Sequence, residues 1–145
     1  LIKTNRYGLI NKTGYMDLLR IESTKFTPGI VLDPHTNVLE FYGFSLPENA
    51  IEFYQPVINW ITKYKNDVLS LSNYPQIHVI FKLSYYNSSS LRKLIEIFTL
   101  FSEMYHKGVP ITISWQYDSE DPSMAESGKE IGEITKIPVT LVAYN

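Results

Sequence analysis

The stretch from Ile77 to Leu94 constrains the chain more than any other. Ile77, Val79, Phe81, Leu83 and Tyr85 alternate along one face of a run that ends at Tyr86. Alternation at a period of two is the pattern of a β-strand. Ile80 and Tyr86 add apolar bulk to the second face, which predicts a strand covered on both sides at the centre of a sheet. After Asn87-Ser88-Ser89-Ser90 the period changes to 3.6: Leu91, Leu94, Ile95, Phe98, Phe101 and Tyr105 share one stripe, stopped by Gly108. One central strand leading directly into one amphipathic helix requires an α/β architecture, and the remaining elements agree.

Leu18–Ile21 and Ile30–Leu32 read as short strands. The composition of Asp33-Pro34-His35-Thr36-Asn37 makes a turn, and Val38–Phe44 is the partner strand of a hairpin. Asn49 with Glu52 three residues later has capping-box spacing. Tyr54, Val57, Ile58, Ile61 and Tyr64 follow at helical spacing, with Pro56 predicted to kink the first turns. Residues 66–75 read as a loop. Val109–Tyr117 alternates again. Asp121 with Pro122 starts a third helix, which Gly128 and Gly132 weaken. Ile137–Val142 closes as the last strand. Strands alternating with helices predict right-handed crossovers onto a mixed β-sheet, with the helices packed mainly on one face.

The 145 residues fit one domain. Residues 1–15 carry Lys3, Arg6 and Lys12 and no acid, a contribution of +3. The rest of the chain therefore carries −5 of the overall −2. An acidic body is a poor match for nucleic acid. The turn-rich residues 1–15 are read as an upstream or non-native extension, Met16 as a native first residue, and 16–145 as the domain. The chain has no cysteine, which removes disulfides and thiolate zinc sites and suits a reducing, cytoplasmic setting. No apolar run reaches the roughly 18 residues of a membrane span.

Sites for chemistry are sparse. His35, His78 and His106 are scattered and lack carboxylates at metal-ligand spacing, so no metal and no cofactor is expected. No phosphate-cradling glycine loop and no nucleophile elbow is present. Glu48, Glu52, Asp118, Glu120 and Asp121 could pair as catalytic carboxylates, but acids at helix starts ordinarily complement the macrodipole. The strand-to-helix junction at Asn87-Ser88-Ser89-Ser90 has two readings. It is a helix cap, or it is a place where an anion meets unpaired N–H groups. A phosphate on Ser88 could also reach Arg92 or Lys93, one turn on.

Four ordered motifs carry a resemblance that covers nearly the whole chain from Met16. They are Ile21-Glu22-Ser23-Thr24-Lys25-Phe26-Thr27-Pro28; Pro47-Glu48-Asn49-Ala50 leading to Glu52-Phe53-Tyr54 and Trp60; Leu83 to Ser90 followed by Ile97-Phe98; and Trp115-Gln116-Tyr117-Asp118. In these the chain resembles the SiaC family of bacterial regulatory phosphoproteins. The resemblance implies a STAS-like fold and a partner-switching circuit without catalysis by the domain itself. A serine/threonine kinase would phosphorylate the domain and a PP2C-type phosphatase would reverse the modification. The unphosphorylated form would bind a target, a diguanylate cyclase in one branch of the family. The family's phosphoacceptor, usually Thr, follows the junction Asn and maps onto Ser88. Asn87, Ser89, Ser90, Arg92 and Lys93 are then its neighbours. Pro47, Glu48, Asn49 and Tyr86 are the expected partner contacts, while Trp115 and Tyr117 are expected in the core. Two rival readings remain: a scaffold in which Ser88 is only part of the cap, and a small enzyme built on the acids near Asp118.

Overall fold

The computed structural model describes residues 3–5, 8–10 and 16–145. Strands β1 (Lys3–Asn5) and β2 (Gly8–Ile10) pair antiparallel as a separate two-stranded sheet. The other residues of the 1–15 segment lie outside the described residues. The main sheet holds β3 (Leu19–Ile21), β4 (Gly29–Asp33), β5 (Val38–Ser45), β6 (Ile77–Tyr86), β7 (Ile111–Asp118) and β8 (Val139–Tyr144), in that spatial order. β3, β4 and β5 form an antiparallel meander, and β5 to β8 run parallel. The expected turn joins β4 to β5: the Asp33 carboxylate accepts from the His35 N–H at 2.9 Å, and Asn37 adopts a left-handed φ of 58°.

Parallel strands in sequential order need crossovers, and a constant right hand places every crossover helix on one face. The helices are α1 (Ala50–Leu69), α2 (Ser88–His106) and α3 (Pro122–Thr135). α1 buries Tyr54, Val57, Trp60, Ile61, Tyr64 and Val68 on that face. It runs as a single helix through Pro56 and continues to Leu69, four residues into the predicted loop, because Val68 still packs into the core. An aromatic column ties the layers. Phe81 stacks on Phe41 at 4.6 Å and meets Phe98 of α2 at 4.7 Å and Trp115 of β7 at 5.7 Å. Trp115 is buried as expected, and its indole N–H donates to the Met124 carbonyl at 2.9 Å. The two glycines of α3 are the cost of that packing. A Cβ on Gly128 would lie 2.5 Å from the Trp115 ring, and one on Gly132 would lie 2.6 Å from the Val139 side chain.

Two sequence expectations fail at β6. The strand is covered on one side only: Ile77, Val79, Phe81 and Leu83 are buried, while His78, Lys82 and Ser84 are exposed. Every described helix lies on one face, so no described helix covers the second. The alternation also breaks. Gly43 lies opposite Leu83, but Phe44 lies opposite Tyr85, so Ser84 is an extra residue in a β-bulge. One inserted residue exchanges the faces of everything after it. Tyr85 therefore turns out to solvent, 50% exposed, and Tyr86 turns inward, edge-on to Trp115 at 6.3 Å. Among the described residues no helix is long and apolar enough to cross a membrane.

Candidate functional site

The bulge delivers the chain to Asn87 at the end of β6. The Asn87 N–H donates to the Ser45 carbonyl at 3.1 Å, which fixes the junction against the end of β5. Asn87 is extended and is the N-cap of α2: its side-chain oxygen accepts from the Ser90 N–H at 2.9 Å. The same oxygen accepts the Ser89 hydroxyl at 3.1 Å.

The three consecutive serines have three different fates. Ser90 is fully buried in a chain of hydroxyls. Its Oγ donates to the Ser45 carbonyl at 3.0 Å and accepts from the Ser45 hydroxyl at 2.7 Å. The single Ser45 proton is thereby used, so the 2.6 Å contact between Ser45 and Tyr54 has the tyrosine as donor. Burial pushes the Tyr54 phenol up to about 12. These residues join β5, α1 and α2 in one satisfied polar network inside an apolar core. Ser89 is exposed and bonded to its cap. Ser88 is exposed, and its hydroxyl has no partner among the described residues.

Around Ser88 the environment favours an anion. The N–H groups of Ser88 and Ser89 open the helix and have no acceptor among the described residues. Arg92 lies one turn on at i+4, on the same helix face, exposed and in no ion pair among the described residues. Lys93 differs: its ammonium is held by Glu96 at 2.6 Å and its side chain is only 17% exposed. Of the two predicted basic neighbours, only Arg92 is uncommitted.

A second helix start lies alongside. Asn49 caps α1, accepting from the Glu52 N–H at 3.0 Å. An open groove of about 620 Å³ runs between the two helix starts, lined by Glu48, Asn49, Ile51, Ser89, Arg92 and Glu96 among others. Of the expected partner contacts, Glu48 and Asn49 are exposed here. Pro47 is buried beneath them, and Tyr86 is half-buried by the bulge, where burial raises its phenol above the ordinary range. The sequence reading missed the aromatic side chains that do face solvent beside the junction. Phe44 is 46% exposed and directly opposite Tyr85. No residue type in Lys82-Leu83-Ser84-Tyr85-Tyr86 announces a bulge, so plain alternation assigns Tyr85 to the buried face and Tyr86 to the open one, the reverse of what the structure shows.

The acids near Asp118 are used structurally. The Asp118 carboxylate accepts from the Glu120 N–H at 2.9 Å, and Asp121 caps α3 through the Met124 N–H at 3.2 Å. No cluster of three or more metal-ligating side chains occurs among the described residues.

Fold and junction define a mixed α/β domain whose helices lie on one side of its sheet and whose loops carry an open, cap-lined groove. The chain belongs to the SiaC family: the model described as "SiaC family regulatory phosphoprotein" matches residues 21–144. An uncharacterised protein of Pseudomonas aeruginosa (strain UCBPP-PA14) is 29% identical over 130 residues, spanning 90% of this chain and 99% of the relative. Among solved structures, apo-SiaC from P. aeruginosa superposes with a TM-score of 0.78 at 29% identity, covering 88% of this chain and all of that one. SiaC from the same organism in complex with the diguanylate cyclase SiaD, described there as its activator, gives 0.77 at 28% identity over 87% of this chain and 99% of that one. The chain is thus a regulatory protein of this family, and its mixed sheet with three helices is the fold of the SiaC structures.

Proposed function

We propose that this protein is a cytoplasmic phosphoswitch whose unphosphorylated form binds and regulates a target such as a diguanylate cyclase. A serine/threonine kinase adds phosphate to Ser88 and a PP2C-type phosphatase removes it. The observation that carries this reading is the contrast among the three serines: only Ser88 has a solvent-exposed, uncommitted hydroxyl at a helix start with Arg92 on its face. The complex of the P. aeruginosa relative with a cyclase supports a target of that kind.

The switch works through charge and desolvation. A phosphate on Ser88 adds about −1.5 to −2 charge and three strong acceptors. The free N–H groups and Arg92 hold the dianion in place. A target docking over Glu48, Asn49, Asn87, Phe44 and Tyr85 would then have to desolvate that charge or face it with its own acids. A loss of about 3 kcal/mol weakens binding more than a hundredfold. The domain supplies recognition and a modifiable hydroxyl, and the chemistry belongs to its kinase and phosphatase.

Phosphate incorporation by the kinase into wild-type, Ser88→Ala and Ser89→Ala protein tests the assignment. Loss in Ser88→Ala with retention in Ser89→Ala is the expected result. Undiminished incorporation into Ser88→Ala removes Ser88 as the acceptor.

A further inference from the structure

Ser45 closes β5 and binds the starts of both neighbouring helices. Its carbonyl takes the Asn87 N–H at 3.1 Å, the last rung of the β5–β6 ladder. The same carbonyl takes a second donor from the same helix start, the Ser90 hydroxyl at 3.0 Å. The Ser45 hydroxyl gives its proton to Ser90 at 2.7 Å and accepts one at 2.6 Å from Tyr54, in the second turn of α1. Ser45, Tyr54 and Ser90 are all fully buried. Donation therefore runs one way, from α1 through β5 to α2 and back to the β5 backbone.

A core gains little stability from such a chain. Replacing both partners of a buried hydrogen bond by apolar groups of the same shape is close to neutral. Apolar contact, however, has no direction, whereas a donor and its acceptor fix an angle as well as a distance. The chain of hydroxyls is thus suited to holding two helix starts in one arrangement.

We propose that Ser90 is the positioning residue of the switch, gripping the Ser45 carbonyl so that the first turn of α2 presents a fixed cradle to phosphate on Ser88. The proposal rests on Ser88 as the phosphate carrier. Asn87 and Ser90 are the two anchors, and the residues between them are Ser88 and Ser89, both exposed. With both ends of the turn pinned to one carbonyl, it cannot unwind without breaking both bonds. The free N–H groups of Ser88 and Ser89 keep their aim, and Arg92 joins them from one turn on. Ser45 and Tyr54 extend the hold to α1, which keeps the Asn49 and Asn87 caps in register across the groove. Ser90 touches no phosphate itself and acts through the turn it anchors.

Phosphoserine built into position 88 during translation tests this on the full chain, with no kinase and no target. Phosphorus NMR across pH reads the second ionisation of the phosphate, which lies at about 6 in an unstructured peptide. In the folded protein it should lie about half a unit lower, because the N–H groups and the guanidinium favour the dianion. Ser90→Ala should return most of that shift. Tyr54→Phe keeps the ring in the core and should return a smaller part, and it decides the matter if Ser90→Ala fails to fold. Thr135→Ala is the control. It removes another buried hydroxyl, one that donates to the Ile131 carbonyl at 2.7 Å within α3, and should leave the phosphate unmoved. Thermal midpoints recorded for each variant separate lost stability from lost position. The proposal is overturned by a wild-type phosphate that titrates as in the peptide, by a shift that Ser90→Ala and Tyr54→Phe both leave intact, or by one that Thr135→Ala removes as fully. Native protein lacking phosphate on Ser88 would instead fail the phosphoswitch reading and leave this measurement standing.

Discussion

The junctions that begin α2 and α3 are built alike and differ in what they leave free. Each follows a parallel strand, and each is capped by an Asx side chain that accepts the N–H three residues on, from Asn87 to Ser90 and from Asp121 to Met124. In each, a serine at the second helical position donates its hydroxyl back to the cap, Ser89 at 3.1 Å and Ser123 at 2.6 Å. The first helical position separates them. In α3 it is Pro122, which has no hydroxyl to modify; in α2 it is Ser88, exposed and uncommitted. The surroundings separate them too. The α3 junction already carries Asp118, Glu120 and Asp121, whereas the α2 cap is neutral and has Arg92 on its face. A helix start alone is therefore no switch. A hydroxyl left over after capping, with cationic surroundings to receive a phosphate, is what distinguishes the second junction.

That contrast breaks most visibly in target binding. Ser88→Asp, carrying a charge where phosphate would stand, should reduce affinity for the regulated target more than tenfold in calorimetric titration. Ser123→Asp, added to an already acidic junction, should change it less than twofold. Equal effects would show that the two junctions are not functionally different.

The next effect lies in the polar network behind α2, which α3 lacks. Tyr54 ionises in the folded chain at about 12 and near 10 when unfolded. Between those values the unfolded state has lost the proton that the native state keeps. The stability Tyr54 contributes is complete below pH 10 and is lost as pH rises toward 12, about 2–3 kcal/mol in all. Urea unfolding at pH 8 and pH 11 should show the fall, and Tyr54→Phe should reduce it. Burial raises Tyr64 and Tyr86 as well, so a smaller decline persists in that variant.

Ser90→Ala comes next. It leaves the buried Ser45 hydroxyl without its acceptor and should destabilise the fold by about 1–3 kcal/mol. Ser123→Ala, exposed, should stay within about 0.5 kcal/mol. The smallest difference is between the caps themselves. Asn87→Ala and Asp121→Ala should each cost about 1 kcal/mol, since both end an identical interaction. Asp121→Asn should cost only the charge–dipole share, about 0.3–1 kcal/mol.

Much of this architecture could be read in the sequence because it rests on period and punctuation. The strand–helix alternation, all three Asx caps, Pro122 at the first turn and the hairpin turn at 33–37 depend on local residue chemistry. What was hidden depends on tertiary register. The slip at Ser84 is set by how β6 pairs with β5, and it makes Tyr85 rather than Tyr86 the exposed ring. Pro47 sits in a loop by composition, yet the packing around it buries it. Ser90 looks like its two neighbours, and only the approach of Ser45 and Tyr54 from other elements makes it a core residue. Gly128 and Gly132, read as helix weaknesses, are the clearance that lets α3 lie on Trp115 and Val139.

In the proposed switch, the hydroxyl opening α2 is the one that carries phosphate. Isolating the protein from its native cells and mapping phosphate by intact mass and peptide fragmentation, before and after treatment with a PP2C-type phosphatase, measures this directly. One phosphatase-sensitive phosphate on Ser88 is the predicted result. Phosphate placed on another residue, or a chain that carries none while its cognate target is released, would contradict it.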